Sequence, residues 1–179
     1  DGPLPRAART GAICCLDEIV EARRDTTVVI HSLADHRRVL PIEKTGEMIQ
    51  ADPDFLLVIS YNPGYQTVLK DLKPSTRQRF VSLEFNYPPA TLEAAIVAHE
   101  SGVGEDLAHR LAAIAERLRA LSDHGLTDGV STRSLIHAGQ LVMQGIETRR
   151  ACEVALTAAL GDDPEMQKAA NDVIDIHLP

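Results

Sequence analysis

Two apolar runs without alternation constrain this chain more than any other feature. AICCL, residues 12–16, and FLLVIS, residues 55–60, are short and close on polar residues. A strand with one wet face alternates; a continuous apolar run suits a strand covered on both faces, as in a parallel sheet packed between helices. In such sheets ligands sit at the carboxyl ends of the strands. The first run ends on Asp17 and Glu18, and the second leads into YNPGYQ with Asn62 at its head. A site that hydrolyses a nucleotide needs one carboxylate there to hold magnesium, usually through water. It needs a second to polarise or deprotonate the attacking water. If the two strands are neighbours, Asn62 shares their edge, where its amide would orient a water or a phosphate oxygen. Taken alone, an apolar run ending in two acids more often opens a solvated loop, and Asn-Pro-Gly is more often a plain turn.

Composition narrows the classes. A chain of 179 residues can bury a real core. A formal net charge of −8 with 3% aromatic residues offers little to phosphate backbones or to stacked bases, so no nucleic-acid partner is expected. Cys14, Cys15 and Cys152 have neither the count nor the spacing of a disulfide framework or a zinc site. A reducing cytoplasm fits, and Cys14 and Cys15 read as small core hydrophobes. No stretch approaches the roughly 20 apolar residues of a membrane span. The seven histidines show no metal-ligand spacing, and His31, His36 and His137 read as packed or surface residues.

Along the chain, TTVVIHSLADHRR reads as a helix capped by Asp25 or Thr26, although its β-branched start also suits a strand. VLPIEKTGEMI reads as a hairpin turning at Lys44 to Gly46, with Pro41 confining the first arm to an edge. VLKDLKPSTRQ is expected to be a short helix leading to a third strand, FVSLEF. Pro88 and Pro89 then mark a change to helix alone: ATLEAAIVAHE, closed by Gly102; a helix with Leu107, Leu111, Ile114, Leu118 and Leu121 at steps of three and four; one opening near Ser131 or Thr132; one around ACEVALTAAL; and a last one capped by Asp163 and Pro164. The fold class expected is α/β, a parallel-sheet portion over residues 1–88 followed by an all-helical portion over 89–179.

Lys70, Lys73, Arg77 and Arg79 precede the third strand. A solvated helix face explains them, and so does an arginine supplied to a phosphate. Arg133 opens a helix, where the dipole disfavours a cation unless an anion or an ion-pair partner is near.

In this order, the features resemble an AAA+ ATPase. DGPLPRAARTGAICCLDEIVEARRDTTVVIHSLADHRRVLPIEKTGEMI and FLLVISYNPGYQ are similar to the MoxR-type subgroup containing CbbQ and NorQ, and the resemblance covers essentially the whole chain. It implies a P-loop NTPase core followed by a helical lid, ATP and magnesium as cofactors, and a ring of self copies, expected as a hexamer. ICCLDE matches the Walker B segment, with Asp17 for magnesium and nucleotide and Glu18 for water activation. Asn62 matches sensor 1, Arg79 the arginine finger with Arg77 as its rival, and Arg133 in GVSTRSL the nucleotide-binding sensor 2. Residues 36–54 fall where the family has its pre-sensor hairpin. The activity implied is remodelling of a target protein, with a von Willebrand factor A domain partner of CbbO or NorD type. The target would be Rubisco or nitric oxide reductase. One departure stands out: the 179 residues contain no G-x-x-x-x-G-K-[ST] loop, whose amides and lysine would cradle the phosphates. The chain is therefore expected to be an amino-terminally truncated piece, inactive alone. A non-catalytic assembly or regulatory module is the alternative.

Overall fold

The computed structural model describes residues 2–22, 29–62, 74–122, 129–161 and 163–178. The chain divides into two compact units, Asp1–Glu84 and Phe85–Pro179.

The first unit opens with α1 (Pro3–Thr10), which has proline in its first turn, where no donor is lost. Gly11 ends it in the left-handed region at φ +70°. A side chain there would also place its Cβ 2.6 Å from Asp52 Oδ1, so the site needs glycine twice over. The Asp52 N–H donates to the Ala8 carbonyl at 2.8 Å, and Arg38 Nη2 donates to the Asp52 and Phe55 carbonyls at 2.9 and 2.8 Å. These bonds fix the entry to β4 (Leu56–Ile59), which pairs in parallel with β1 (Ile13–Leu16) in the register Ile13 with Leu56 and Leu16 with Ile59. The hairpin forms as its sequence implies: β2 (Val39–Ile42) and β3 (Glu47–Gln50) pair antiparallel around a turn in which Gly46 takes φ +69°. Ala8, Cys14, Leu33, Leu40, Ile49 and Phe55 make the core.

Two expectations need correction here. Coverage of β1 and β4 on both faces holds on one face only. Cys14 is buried, but Ile13, Cys15, Leu56 and Val58 share a face that no described residue covers, so Cys15 is not a core residue. FVSLEF forms no strand: Val81 and Phe85 are 94% and 90% exposed, and an extended run is a strand only where a neighbour completes its ladder. Of TTVVIHSLADHRR the described residues hold the helix α2 (His31–Ala34), with Val29 also helical, and Asp35 ends it by leaving the helical region and taking the Arg37 N–H on its side chain. The predicted cap at Asp25 or Thr26, and residues 68–73 of the expected VLKDLKPSTRQ helix with Lys70 and Lys73, lie outside the described residues. The described part of that helix is α3 (Pro74–Arg77), where buried Thr76 bonds His31 Nε2 at 2.8 Å.

The second unit is helical: α4 (Ala90–Ser101), α5 (Glu105–Ser122), α6 (Thr132–Met143), α7 (Thr148–Cys152) and α8 (Pro164–His177). Between α7 and α8, Glu153–Thr157 widens to a π turn and Ala158–Leu160 tightens to a 3₁₀ turn. Gly102 closes α4 in the left-handed region. The Asp163 side chain caps α8 by accepting from the Glu165 N–H at 3.0 Å. The predicted stripe on α5 faces inward, with Leu111, Ile114 and Leu118 buried among Val97, Leu135, Leu156 and Ile174. Cys152 joins this core, and burial, then the carboxylates of Glu147 and Glu153, push its thiol up to about 12, so it stays an inert thiol.

Helices α4 and α6 approach so closely at Gly139 that an added Cβ would lie 2.7 Å from Ser101 Cβ. Ser101 cannot swing aside freely, because its hydroxyl donates to the Val97 carbonyl at 2.6 Å. Gly139→Ala gains about 1 kcal/mol of helix propensity but overpacks the contact at a cost of about 1–3 kcal/mol. The expected outcome is a lower melting temperature by calorimetry; a raised one would show that α4 yields to α6 without strain.

Candidate nucleotide site

The parallel register sets Asp17 abreast of Ser60, one step beyond the paired residues Leu16 and Ile59. Ser60 ties the two strand ends together. Its N–H donates to the Leu16 carbonyl at 3.0 Å, and its carbonyl accepts from the Ile19 N–H at 3.2 Å. Its hydroxyl donates to Asp17 Oδ1 and accepts from the Glu18 N–H at 3.3 Å. Between these bonds Glu18 is held at φ +50°, ψ +44°. That region costs a non-glycine residue on the order of 1–3 kcal/mol and persists where the surroundings over-determine it, often at functional sites. Asp17, Glu18 and Asn62 are all exposed. All three lie at the carboxyl edge of the β1–β4 pair, which meets the condition the sequence set for Asn62.

Ser60 escaped the sequence reading. Its signal was available in hindsight: it ends an apolar run that pairs with another, and parallel register puts it level with Asp17. As an oxygen-donor pair, Asp17 and Ser60 suit magnesium, which keeps several waters and is held through one or two carboxylates.

The arginines are placed less directly. Arg77 ends α3 and is exposed; Arg79 follows in the turn and is half-buried. Arg79 Nη1 donates to the Ser75 carbonyl, and its Nε lies 3.9 Å from Asp35 Oδ2, too far for a hydrogen bond. The buried Nε has no hydrogen-bond partner among the described residues. Asp35 is instead committed to Arg37, whose Nη2 lies at 2.7 Å and whose hydrogen bonds hold the carboxylate well below its ordinary range.

Arg133 belongs to the second unit, in the first turn of α6, and is exposed. Ser131 caps that helix by accepting the Ser134 N–H at 3.2 Å. No acid occupies the first turn. Beside it lies a network around one buried carboxylate that sequence reasoning missed. Glu93, 1% exposed, accepts two hydrogen bonds from Arg119 at 2.7 and 2.8 Å and one from the Thr132 hydroxyl at 2.6 Å. Arg119 Nε also donates to the Val130 carbonyl at 2.7 Å, and its guanidinium stacks 3.6 Å from the Tyr87 ring centroid. Burial alone would raise Glu93, but the bonds from Arg119 and Thr132, with Arg119's charge, outweigh it and hold the carboxylate below its usual range. A signal for Glu93 existed: it lies on α4 next to buried Ala94 and one turn before buried Val97, where a carboxylate must find a partner.

Residues 1–80 match the family described as AAA domain (dynein-related subfamily), so the first unit is the P-loop NTPase type of fold. Residues 93–177 match the family described as CbbQ/NirQ/NorQ C-terminal. The chain is 57% identical to the denitrification regulatory protein NirQ of Pseudomonas aeruginosa over 99% of its own length and 68% of the relative's. It is 57% identical to protein CbbQ of Hydrogenophilus thermoluteolus over 94% of this chain and 63% of that protein. Protein NorQ of Paracoccus denitrificans is 53% identical over 97% of this chain and 64% of its own length. The chain belongs to the CbbQ/NirQ/NorQ family of AAA proteins, and spans about two thirds of the length of the curated relatives it matches. Among the described residues no helix is long and apolar enough to cross a membrane.

Proposed function

We infer that these residues are the metal and water side of an ATPase site in a ring-forming activator that remodels a target protein. The observation that carries the reading is the shared edge: Asp17 and Glu18 at the end of β1, Ser60 and Asn62 beside them from β4. Asp17 would hold magnesium with Ser60 steadying its carboxylate, and bound magnesium would neutralise charge developing on the phosphates. Glu18 would take a proton from the attacking water, and the Asn62 amide would orient that water or a phosphate oxygen. Arg79, or Arg77, would reach the nucleotide of a neighbouring subunit, and Arg133 on the helical lid would sense its phosphates. The target would be Rubisco or nitric oxide reductase, reached with a von Willebrand factor A domain partner, a reading supported by the likeness to CbbQ and NorQ.

The phosphate cradle is missing from the 179 residues, and that observation favours a second reading, a non-catalytic assembly or regulatory module. Calorimetry separates the two. The 179-residue chain alone should show no micromolar binding of ATP with magnesium, whereas the chain extended to the full length of its relatives should bind and hydrolyse it. Full-length protein that neither binds nor hydrolyses ATP would overturn the ATPase reading in favour of the module.

A further inference from the structure

The exposed charge of Arg133 stands on an unusually fixed base. Val130, Ser131 and Thr132, the three residues before it, are pinned at both ends by one ion pair between half-buried Arg119 and buried Glu93: Arg119 holds the Val130 carbonyl and Glu93 holds the Thr132 hydroxyl. The pair joins α4 to α5 through two parallel bonds, and Arg119 is held from the other side by Tyr87. Between the anchors, Ser131 caps α6. The start of α6 therefore cannot shift or unwind without breaking a bond to the buried Glu93 carboxylate or the half-buried Arg119 guanidinium.

Stability alone is a weak account of such a pair. Desolvating two charges offsets much of their attraction, and apolar residues of the same volume often do as well. What a bidentate pair does supply is fixed geometry, since the guanidinium fork admits one planar arrangement with a carboxylate. Thr132 adds a constraint that an apolar contact would not: its hydroxyl must point at Glu93, which sets the rotation of the first helical residue and hence the direction in which its neighbour Arg133 leaves the helix.

We propose that Glu93, Arg119 and Thr132 form a positioning unit that fixes how Arg133 is presented from the first turn of α6 for its role toward nucleotide phosphates. This rests on the reading of Arg133 as a nucleotide-binding residue, and the unit itself touches no substrate.

The test is a double-mutant cycle in full-length protein, with ATP titrated in steady-state ATPase assays. Arg133→Ala should lower kcat/KM by about 10- to 100-fold, and Thr132→Val by about 10-fold, since misplacing a binding group by an ångström can cost up to about 100-fold. Thr132→Ser, which keeps the donor, should restore the parent value. In the Arg133→Ala background Thr132→Val should change kcat/KM by less than about twofold, because residues acting through one another are not additive. Arg119→Lys, which keeps the charge but loses the fork, should repeat the Thr132→Val result and guards against a single variant that fails to fold. If Arg133→Ala is slow while Thr132→Val and Arg119→Lys match the parent, or if the losses multiply, the network is packing and the proposal fails alone. If Arg133→Ala is as active as the parent, the role of Arg133 falls and the proposal falls with it.

Discussion

Glu18→Gln in full-length protein is expected to bind ATP and magnesium as the parent does and to hydrolyse it about 10² to 10⁴ times more slowly, the usual worth of a positioned general base. The amide keeps the shape and the hydrogen-bonding size of the side chain and removes the basic oxygen. Nor does the substitution disturb the backbone that presents it. The left-handed conformation at residue 18 is imposed by bonds from the main-chain N–H groups of Glu18 and Ile19 to Ser60, and glutamine at φ +50° bears the same strain as glutamate. Asp17→Ala should behave differently, because it would remove the carboxylate proposed to hold magnesium and leaves the Ser60 hydroxyl without its acceptor. There the magnesium-dependent part of nucleotide affinity should fall. Calorimetry for binding and phosphate release for turnover distinguish the two. Turnover unchanged in Glu18→Gln would end its assignment as the base, whatever Asp17→Ala does.

Much of this arrangement was legible in residue pattern, and the parts that were not share a cause. The hairpin, the left-handed cap at Gly102 and the Asp163 cap of α8 follow from local chemistry, in which a turn or an orphan N–H has few solutions. The inward stripe Leu111, Ile114 and Leu118 follows from helical period. Family membership was legible in ICCLDE and FLLVISYNPGYQ. Strand formation by FVSLEF was not decidable from its alternation, because a strand exists only through its neighbour, and no described strand lies beside Val81 to Phe85. Ser60 and the Glu93–Arg119 pair stayed hidden for the same reason. Their partners lie 43 and 26 positions away in the chain, and only the fold brings such pairs together.

Arg79→Ala, tested in a mixture, addresses what no single chain can show. Among the described residues the Arg79 guanidinium is loosely engaged: it donates to the Ser75 carbonyl, its ion-pair partner Asp35 lies 3.9 Å away and already serves Arg37, and its buried Nε makes no hydrogen bond. A cation so weakly compensated is suited to a phosphate that arrives from elsewhere. If Arg79 serves the neighbouring subunit of a ring, its removal should lower turnover about 10³- to 10⁵-fold, as for fingers supplied in trans. Arg79→Ala protein keeps its own Asp17 and Glu18, and Glu18→Gln protein keeps its finger, so each alone should be nearly inactive. When subunits exchange, some interfaces place a Glu18→Gln subunit's Arg79 against an intact Glu18 site, and ATPase should partly return. The recovery should depend on the mixing ratio and vanish when the donor carries both substitutions. A mixture in which exchange is demonstrated, yet which stays as inactive as either parent, would show that Arg79 does not act across the interface. The same mixing with Arg77→Ala then decides whether its rival does.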